Sequence, residues 1–173
     1  MRTLAAPPLV LEPLTAGHAR EMFAVLSDPA IYEFENEPPA SEDALVRRYR
    51  FLEARKSPDD RESWLNWIIR LPTGDAAGYV QATVLPSDAA LVAYELASRF
   101  WRQGIGSAAV GAMLDELREA YAVNLYVAVL KARNFRSVGL LRKLGFRSAS
   151  DEEFSRFGGE ADERVMVRPS AAC

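Results

Sequence analysis

The chain has 173 residues, enough for one well-buried core and short for two, and its 49% hydrophobic and 26% charged content is ordinary for a globular protein. A formal net charge of -3 gives no general attraction to nucleic acid or to an anionic membrane surface. No apolar stretch approaches the roughly 20 residues of a membrane span, no signal-peptide pattern opens the chain, and a lone cysteine, Cys173, excludes a disulfide framework and a cysteine-based metal site.

These priors point to the cytoplasm, to no metal, and to a single domain over residues 1–173. Leu9 to Leu14 reads as a first strand, ended by Pro13 and by Thr15, a good N-cap. Ala19, Met22, Phe23 and Leu26 recur at helical spacing until Asp28-Pro29 stops the helix. The lone His18 stands at that helix start and reads as a surface residue rather than a catalytic base. Ile31 to Pro39 mixes aromatics with Glu33, Glu35 and Glu37 and reads as a loop or short helix. Ser41 starts a second helix through about Lys56, which carries Arg47, Arg48, Arg50, Arg55 and Lys56.

Three strand-like runs follow, Trp64 to Leu71, Gly78 to Leu85 and Ala89 to Ala97, joined by turns short enough to imply an antiparallel meander. A helix from about Gly106 to Tyr121 has an apolar face of Ala109, Val110, Met113, Leu114 and Leu117. Val123 to Leu130 is a fifth strand, apolar enough to be buried on both faces. Asn134 to Leu144 forms a short amphipathic helix stopped by Gly145. Phe146 to Ala149 and Glu163 to Val167 pair as final strands around a polar Gly158-Gly159 loop. The sum is an α/β fold with a mixed sheet.

The most informative run is Trp101-Arg102-Gln103-Gly104-Ile105-Gly106-Ser107-Ala108, between a strand and a helix. Two glycines one residue apart let the backbone turn tightly, and the helix start adds unpaired N–H groups and the positive end of a dipole. Such a turn suits a phosphate or pyrophosphate. The run also fits the dinucleotide fingerprint G-x-G-x-x-G/A, but Ser98 to Gln103 intervene after the strand and no carboxylate ends the next one at Leu130-Lys131. A P-loop is excluded because G-x-x-x-x-G-K-[ST] is missing. In isolation the glycines could simply shape a turn.

Trp101 to Gly106 followed downstream by Asn134-Phe135-Arg136-Ser137 and Leu141-Arg142-Lys143-Leu144-Gly145-Phe146 resembles the GNAT acyltransferase superfamily. That family's signature is R/Q-x-x-G-x-G/A before a helix, then an Asn entering a second helix that finishes in Leu-Gly-Phe. Tyr94-Glu95-Leu96 and the Leu9 to Pro29 segment look most like the branch with ribosomal-protein N-terminal acetyltransferases. Trp101 replaces the usual Arg or Gln, and Arg102 stands where that branch often has Gly.

The resemblance implies a mostly antiparallel, twisted mixed sheet with helices on both faces, its fourth and fifth strands diverging after Leu96. It also implies acetyl-CoA as cosubstrate. Backbone groups of Arg102, Gln103, Gly104, Ile105, Gly106 and Ser107 would hold the pyrophosphate, and those near Leu96 and Ala97 would pair with the pantetheine arm. Asn134 would bind pantetheine amides, although Asn is equally suited to capping a helix.

Direct aminolysis of a thioester needs a base for the amine and an acid for the leaving thiol. Glu95, a carboxylate in an apolar strand, is the candidate base, and Ser137 the candidate acid; either could instead be a surface group. Glu33, Glu35 and Glu37 could line an acidic mouth for a cationic amine, although charge runs are usually solvated faces. The basic helix is more readily wet than a partner site, and Trp64, Trp67 and Tyr79 are more readily core than substrate platforms. The expected acceptor is a small-molecule amine or a protein N-terminus, and a homodimer is compatible with the chain. A catalytically inactive CoA-binding or interaction module on the same fold is the alternative.

Overall fold

Period-two runs become eight strands of one sheet, ordered β1-β2-β3-β4-β5-β6-β8-β7, in a computed structural model that describes residues 1–158 and 160–170. Cys173 and Gly159 lie outside the described residues. The strands are β1 (Leu4–Ala6), β2 (Leu9–Pro13), β3 (Ser63–Arg70), β4 (Ala76–Val84), β5 (Ala89–Leu96), β6 (Leu125–Lys131), β7 (Arg147–Ser148) and β8 (Glu163–Pro169). The helices are α1 (Ala19–Leu26), α2 (Glu42–Leu52), α3 (Ile105–Tyr121), α4 (Phe135–Lys143) and α5 (Asp151–Phe157). Every neighbouring pair is antiparallel except β5 and β6. Among the described residues no helix is long and apolar enough to cross a membrane.

Alternation along the strands divides the core between two faces. Trp67, Ile69, Val80, Ala82 and Val92 pack with Val110, Met113, Leu114 and Leu117 of α3 and with Val138 and Leu141 of α4. On the other face Ile68 and Tyr79 pack with Met22, Val25 and Leu26 of α1 and with Leu45 and Tyr49 of α2. Helices therefore cover both faces, as the resemblance implied. All five residues of the predicted inward face of α3 are buried, joined by Glu116, whose carboxylate pairs with Arg2.

Two elements escaped the sequence reading. β1 is only three residues long, too short for alternation to register. The segment read as a polar loop contains α5, opened by a capping box in which Ser150 accepts from the Glu153 N–H and Glu153 accepts from the Ser150 N–H. The S-x-x-E spacing was its available signal.

The sheet opens where the resemblance placed the divergence, but sooner. β5 and β6 pair only at Ala89 with Leu125, Ala90 with Tyr126 and Leu91 with Val127. From Val92 on they part, five residues ahead of the expected point at Leu96, while β6 stays paired to β8 as far as Lys131. The opening explains why β6 is buried on both faces only through Ala128: Val129 borders the gap and is 37% exposed.

The free end of β5 is held by β4 instead. Gly78 faces Leu96, and a Cβ added there would collide with the Glu95 carbonyl and approach the Leu96 Cα to 2.8 Å. Both obstacles are backbone, so neither can rotate away. Gly78→Ala is expected to lower stability by about 3 kcal/mol or more, read from chemical denaturation, because a core contact with no side chain to yield must move a strand.

Candidate active site

The turn after β5 is built by four devices. The Asp28 carboxylate accepts from the Ser98 N–H at 2.7 Å, tying the end of α1 to the end of β5. The Trp101 indole N–H donates to the Leu96 carbonyl at 2.7 Å. Arg102 has φ +59° and Gly104 φ +81°, so two left-handed residues reverse the chain into α3. Left-handed backbone is the reason glycine suits position 102, and Arg102 occupies it at a cost of roughly 1 kcal/mol. Gly106 packs so close to α4 that an added Cβ would lie 2.9 Å from a Leu140 methyl.

The first backbone bond inside α3 runs from the Ala108 N–H to the Gly104 carbonyl. The N–H groups of Ile105, Gly106 and Ser107 therefore have no partner within the helix, no side chain caps them and no acidic residue sits in the first turn. Gly106 and Ser107, with Arg102, Arg136 and Lys143, line a cavity of about 1350 Å³. A donor-rich dipole end beside Arg102 and Lys143, with Arg136 shared with Glu33, is an anion site in physical terms. Gln103, Ile105 and Ala97 stand outside the cavity wall; the Gln103 side chain donates to the Arg99 carbonyl, and the Ala97 N–H to Ala77.

From this turn the cavity runs along β5 through the gap to the α1 and α2 side, with Glu95, Leu96, Asn134 and Ser137 in its walls. Ala97 and Ala89 bond across to β4, so ladder alternation turns the backbone groups of Val92, Tyr94 and Leu96 toward the gap. The Leu96 carbonyl is spoken for by Trp101, which leaves its N–H; Ala97 has no free N–H there.

Glu95 pairs across β4 with Tyr79 on the face that packs against α1 and α2, and it is half-buried. Burial raises its carboxyl above the ordinary carboxylate range, opposed by the Tyr79 hydroxyl and the Arg48 charge, while Glu35 pushes it further up. Asn36, itself at φ +65°, brings its amide to 3.5 Å from Glu95. Tyr94 points to the opposite face, where its hydroxyl reaches the Ser137 carbonyl at 3.4 Å. Burial pushes that phenol up to about 12, so it keeps its proton at neutral pH. Asn134 caps α4, its side-chain oxygen accepting from the Ser137 N–H at 3.1 Å, which leaves the amide NH₂ free to donate.

A strap closes the cavity from the α1 side. Glu33 pairs with Arg136 at 2.6 Å, Arg133 donates to the Phe34 carbonyl at 3.0 Å, and Phe34 meets Phe135 edge-on at 5.8 Å. The Arg136 guanidinium also lies 4.6 Å over the Trp101 ring. Of the three glutamates of the expected acidic mouth, Glu35 and Glu37 line the cavity and Glu33 is paired with Arg136.

His18 closes the cap of the turn before α1, its Nδ1 accepting from the Thr15 N–H at 2.9 Å. Trp67 is core, Trp64 packs on Phe51, and Tyr79 lines the cavity. Of the basic helix, Arg48 reaches the cavity. Arg48, Tyr49, Tyr94, Arg136 and Lys143 are wall residues that spacing along the chain could not single out, because sheet register and helix packing bring them together. Among the described residues no group of three or more His, Cys, Asp or Glu could hold a metal ion.

Solved structures share this architecture. RimL, a ribosomal L7/L12 alpha-N-protein acetyltransferase in complex with coenzyme A, superposes with a TM-score of 0.80 at 16% identity, covering 97% of this chain and 98% of that one. RimJ of Mycobacterium smegmatis in complex with CoA-disulfide gives 0.77 at 19% identity, over 94% of this chain and 82% of that one. A spermidine N-acetyltransferase SpeG chimera of Vibrio cholerae and hSSAT gives 0.74 at 19% identity, over 92% and 93%. No curated protein sequence matches the chain. The family model described as an acetyltransferase (GNAT) domain matches residues 8–147, most of the length. The chain belongs to the GNAT acetyltransferase family.

Proposed function

We propose that the protein transfers an acetyl group from acetyl-CoA to a primary amine, on a small molecule or a protein N-terminus, by direct attack with general-base assistance. The observation that carries this reading is one cavity joining an uncapped, donor-rich helix start to a half-buried carboxylate through an open seam in the sheet. The N–H groups of residues 105–107, with Arg102, Arg136 and Lys143, are the groups to hold the cofactor's phosphates. The strand-edge groups of Tyr94 and Leu96 and the Asn134 amide are suited to the amides of its arm. Bound acetyl-CoA supplies the acyl group as an activated thioester.

The chain's own residues do the remaining work. Glu95, raised by burial, accepts a proton from the incoming ammonium or amine. The Leu96 N–H polarises the acyl oxygen. A hydroxyl on the far side of the seam returns a proton to the leaving sulfur. Ser137 is the group proposed from sequence, and Tyr94, protonated and 3.4 Å from the Ser137 carbonyl, stands beside it. RimL is named as an alpha-N-protein acetyltransferase and the SpeG chimera as a spermidine N-acetyltransferase, which supports an amine as acceptor here.

Calorimetric titration with CoA, followed by thiol release from acetyl-CoA with a panel of amines, peptides and aminoglycosides, tests the reading. Saturable CoA binding with amine-dependent thiol release is expected. Absence of CoA binding overturns the reading, and tight binding without turnover across the panel favours the inactive module.

A further inference from the structure

Beyond Glu95 the cavity continues into a lobe between α2 and the sheet, and this lobe contains charges of both signs. Asn66 of β3 and Gln81 of β4, directly paired across the strands, form its polar floor. Glu95 and Glu35 supply negative charge on one side. Arg48, exposed at the rim, lines the same lobe, and no carboxylate among the described residues forms an ion pair with it. One residue on, Tyr49 is 3% exposed and lines the cavity, and its hydroxyl is the buried side-chain polar atom without a hydrogen-bond partner among the described residues.

A buried hydroxyl is ordinarily paired, because leaving it dry forfeits its hydration with nothing in return. An orphan hydroxyl on a residue of the cavity wall, next in sequence to an arginine without an ion-pair partner among the described residues, is therefore a candidate donor to an acceptor-type oxygen. A ligand of positive charge alone would satisfy Glu95 and Glu35 but confront Arg48; one of negative charge alone would confront the two carboxylates. Only a ligand bearing both signs matches the wall.

Building on the acetyl-transfer reading, we propose that the acceptor is an amine carrying its own carboxylate, with the amine at Glu95 and the carboxylate on Arg48 and the Tyr49 hydroxyl. The carboxylate belongs to a free amino acid or to an acidic first residue of a peptide, and both present the same pair of groups.

The test uses matched acceptors: free amino acids against their carboxamides, and peptide amides beginning with Asp or Glu against those beginning with Asn or Gln. For one or both sets the carboxylate member is expected to have the higher kcat/KM by about 10- to 100-fold, the range of a charge-assisted hydrogen bond. The set that discriminates identifies the source. That ratio should fall toward one in Arg48→Gln and be largely retained in Arg48→Lys. Tyr49→Phe should weaken the acceptor several-fold without lowering the melting temperature, since it removes an unpaired buried group.

A ratio near one in both sets for the unaltered protein, or a ratio unchanged by Arg48→Gln, overturns the proposal. If no acceptor is turned over, the acetyl-transfer reading fails instead. The same ratio is then read as calorimetric affinity of the CoA-loaded protein for the matched pairs, and a value near one still overturns the carboxylate site.

Discussion

Glu95→Gln is expected to lower kcat/KM for acetyl transfer by about 10²- to 10⁴-fold, the usual range for removing a positioned general base. The substitution keeps the size and hydrogen-bonding shape of the side chain but cannot take a proton. Among the described residues Glu95 has no ion pair that the change would break. Desolvation is the main cause of its raised pKa, and Arg48 and Tyr79 only partly oppose it. The base must be ionised to act, so kcat/KM should rise with pH through a limb above the ordinary carboxylate range. Glu95→Gln should lose that limb and keep only the rise belonging to the amine itself.

Stability should move the other way. A carboxyl whose pKa is raised by folding favours the folded state at low pH, and that contribution is lost as pH rises through its folded value. At neutral pH the ionised Glu95 is therefore a burden, and Glu95→Gln should melt no lower than the unaltered protein. A gain or retention of melting temperature together with a large loss of rate identifies a residue kept for chemistry. A rate change below about twofold would remove Glu95 from the reaction.

Gly106→Glu is expected to weaken CoA binding by at least about 100-fold, which is roughly 2.7 kcal/mol. Position 106 lies in the first turn of α3, between two other unpaired N–H groups. A carboxylate there competes for the donors that would hold the phosphates and repels their charge. The fold itself should tolerate the change. The nearest obstacle to a new Cβ is a Leu140 methyl at 2.9 Å, the end of a flexible side chain, and an acidic residue in a first helical turn is favourable. Gly106→Ala is the matching control: it meets the same methyl without the charge, and its CoA affinity should change by no more than a few-fold. Calorimetry on both variants, with melting curves, separates charge at the helix start from loss of folding. Equal affinity in Gly106→Glu and the unaltered protein would move the site away from this turn.

Much of this site was legible because its parts are local. The glycine pair, the helix it opens and the unpaired N–H groups that follow are properties of six consecutive residues, and backbone geometry at Gly104 needs nothing from the rest of the chain. Asn134 as a helix start and the inward face of α3 are local in the same sense, since capping and helical periodicity act within a turn or two. Glu95 stood out as a carboxylate among apolar neighbours. Even so, its strand did not say which face it would take.

The parts that were missed or misplaced are those that register decides. A one-residue shift of β5 against β4 would exchange Glu95 and Tyr94 between faces. Glu33 could not be known to be neutralised, because Arg136 lies 103 positions away and meets it only when α4 packs across the seam. The divergence of β5 and β6 begins after Leu91 rather than Leu96, and where a parallel pairing ends is a property of two strands together that neither stretch of sequence carries alone.

Sequence alone thus settled the donor-rich turn and the helix faces, since these rest on spacing within short stretches of chain, and its motifs carried the resemblance to the family. Tertiary packing decided which carboxylates remain unpaired, where the sheet opens, and that Arg48 and the Tyr49 hydroxyl share a cavity with Glu95. Charge and hydrogen-bond satisfaction depend on what lies across a strand or helix, and that partner is chosen only when the elements pack.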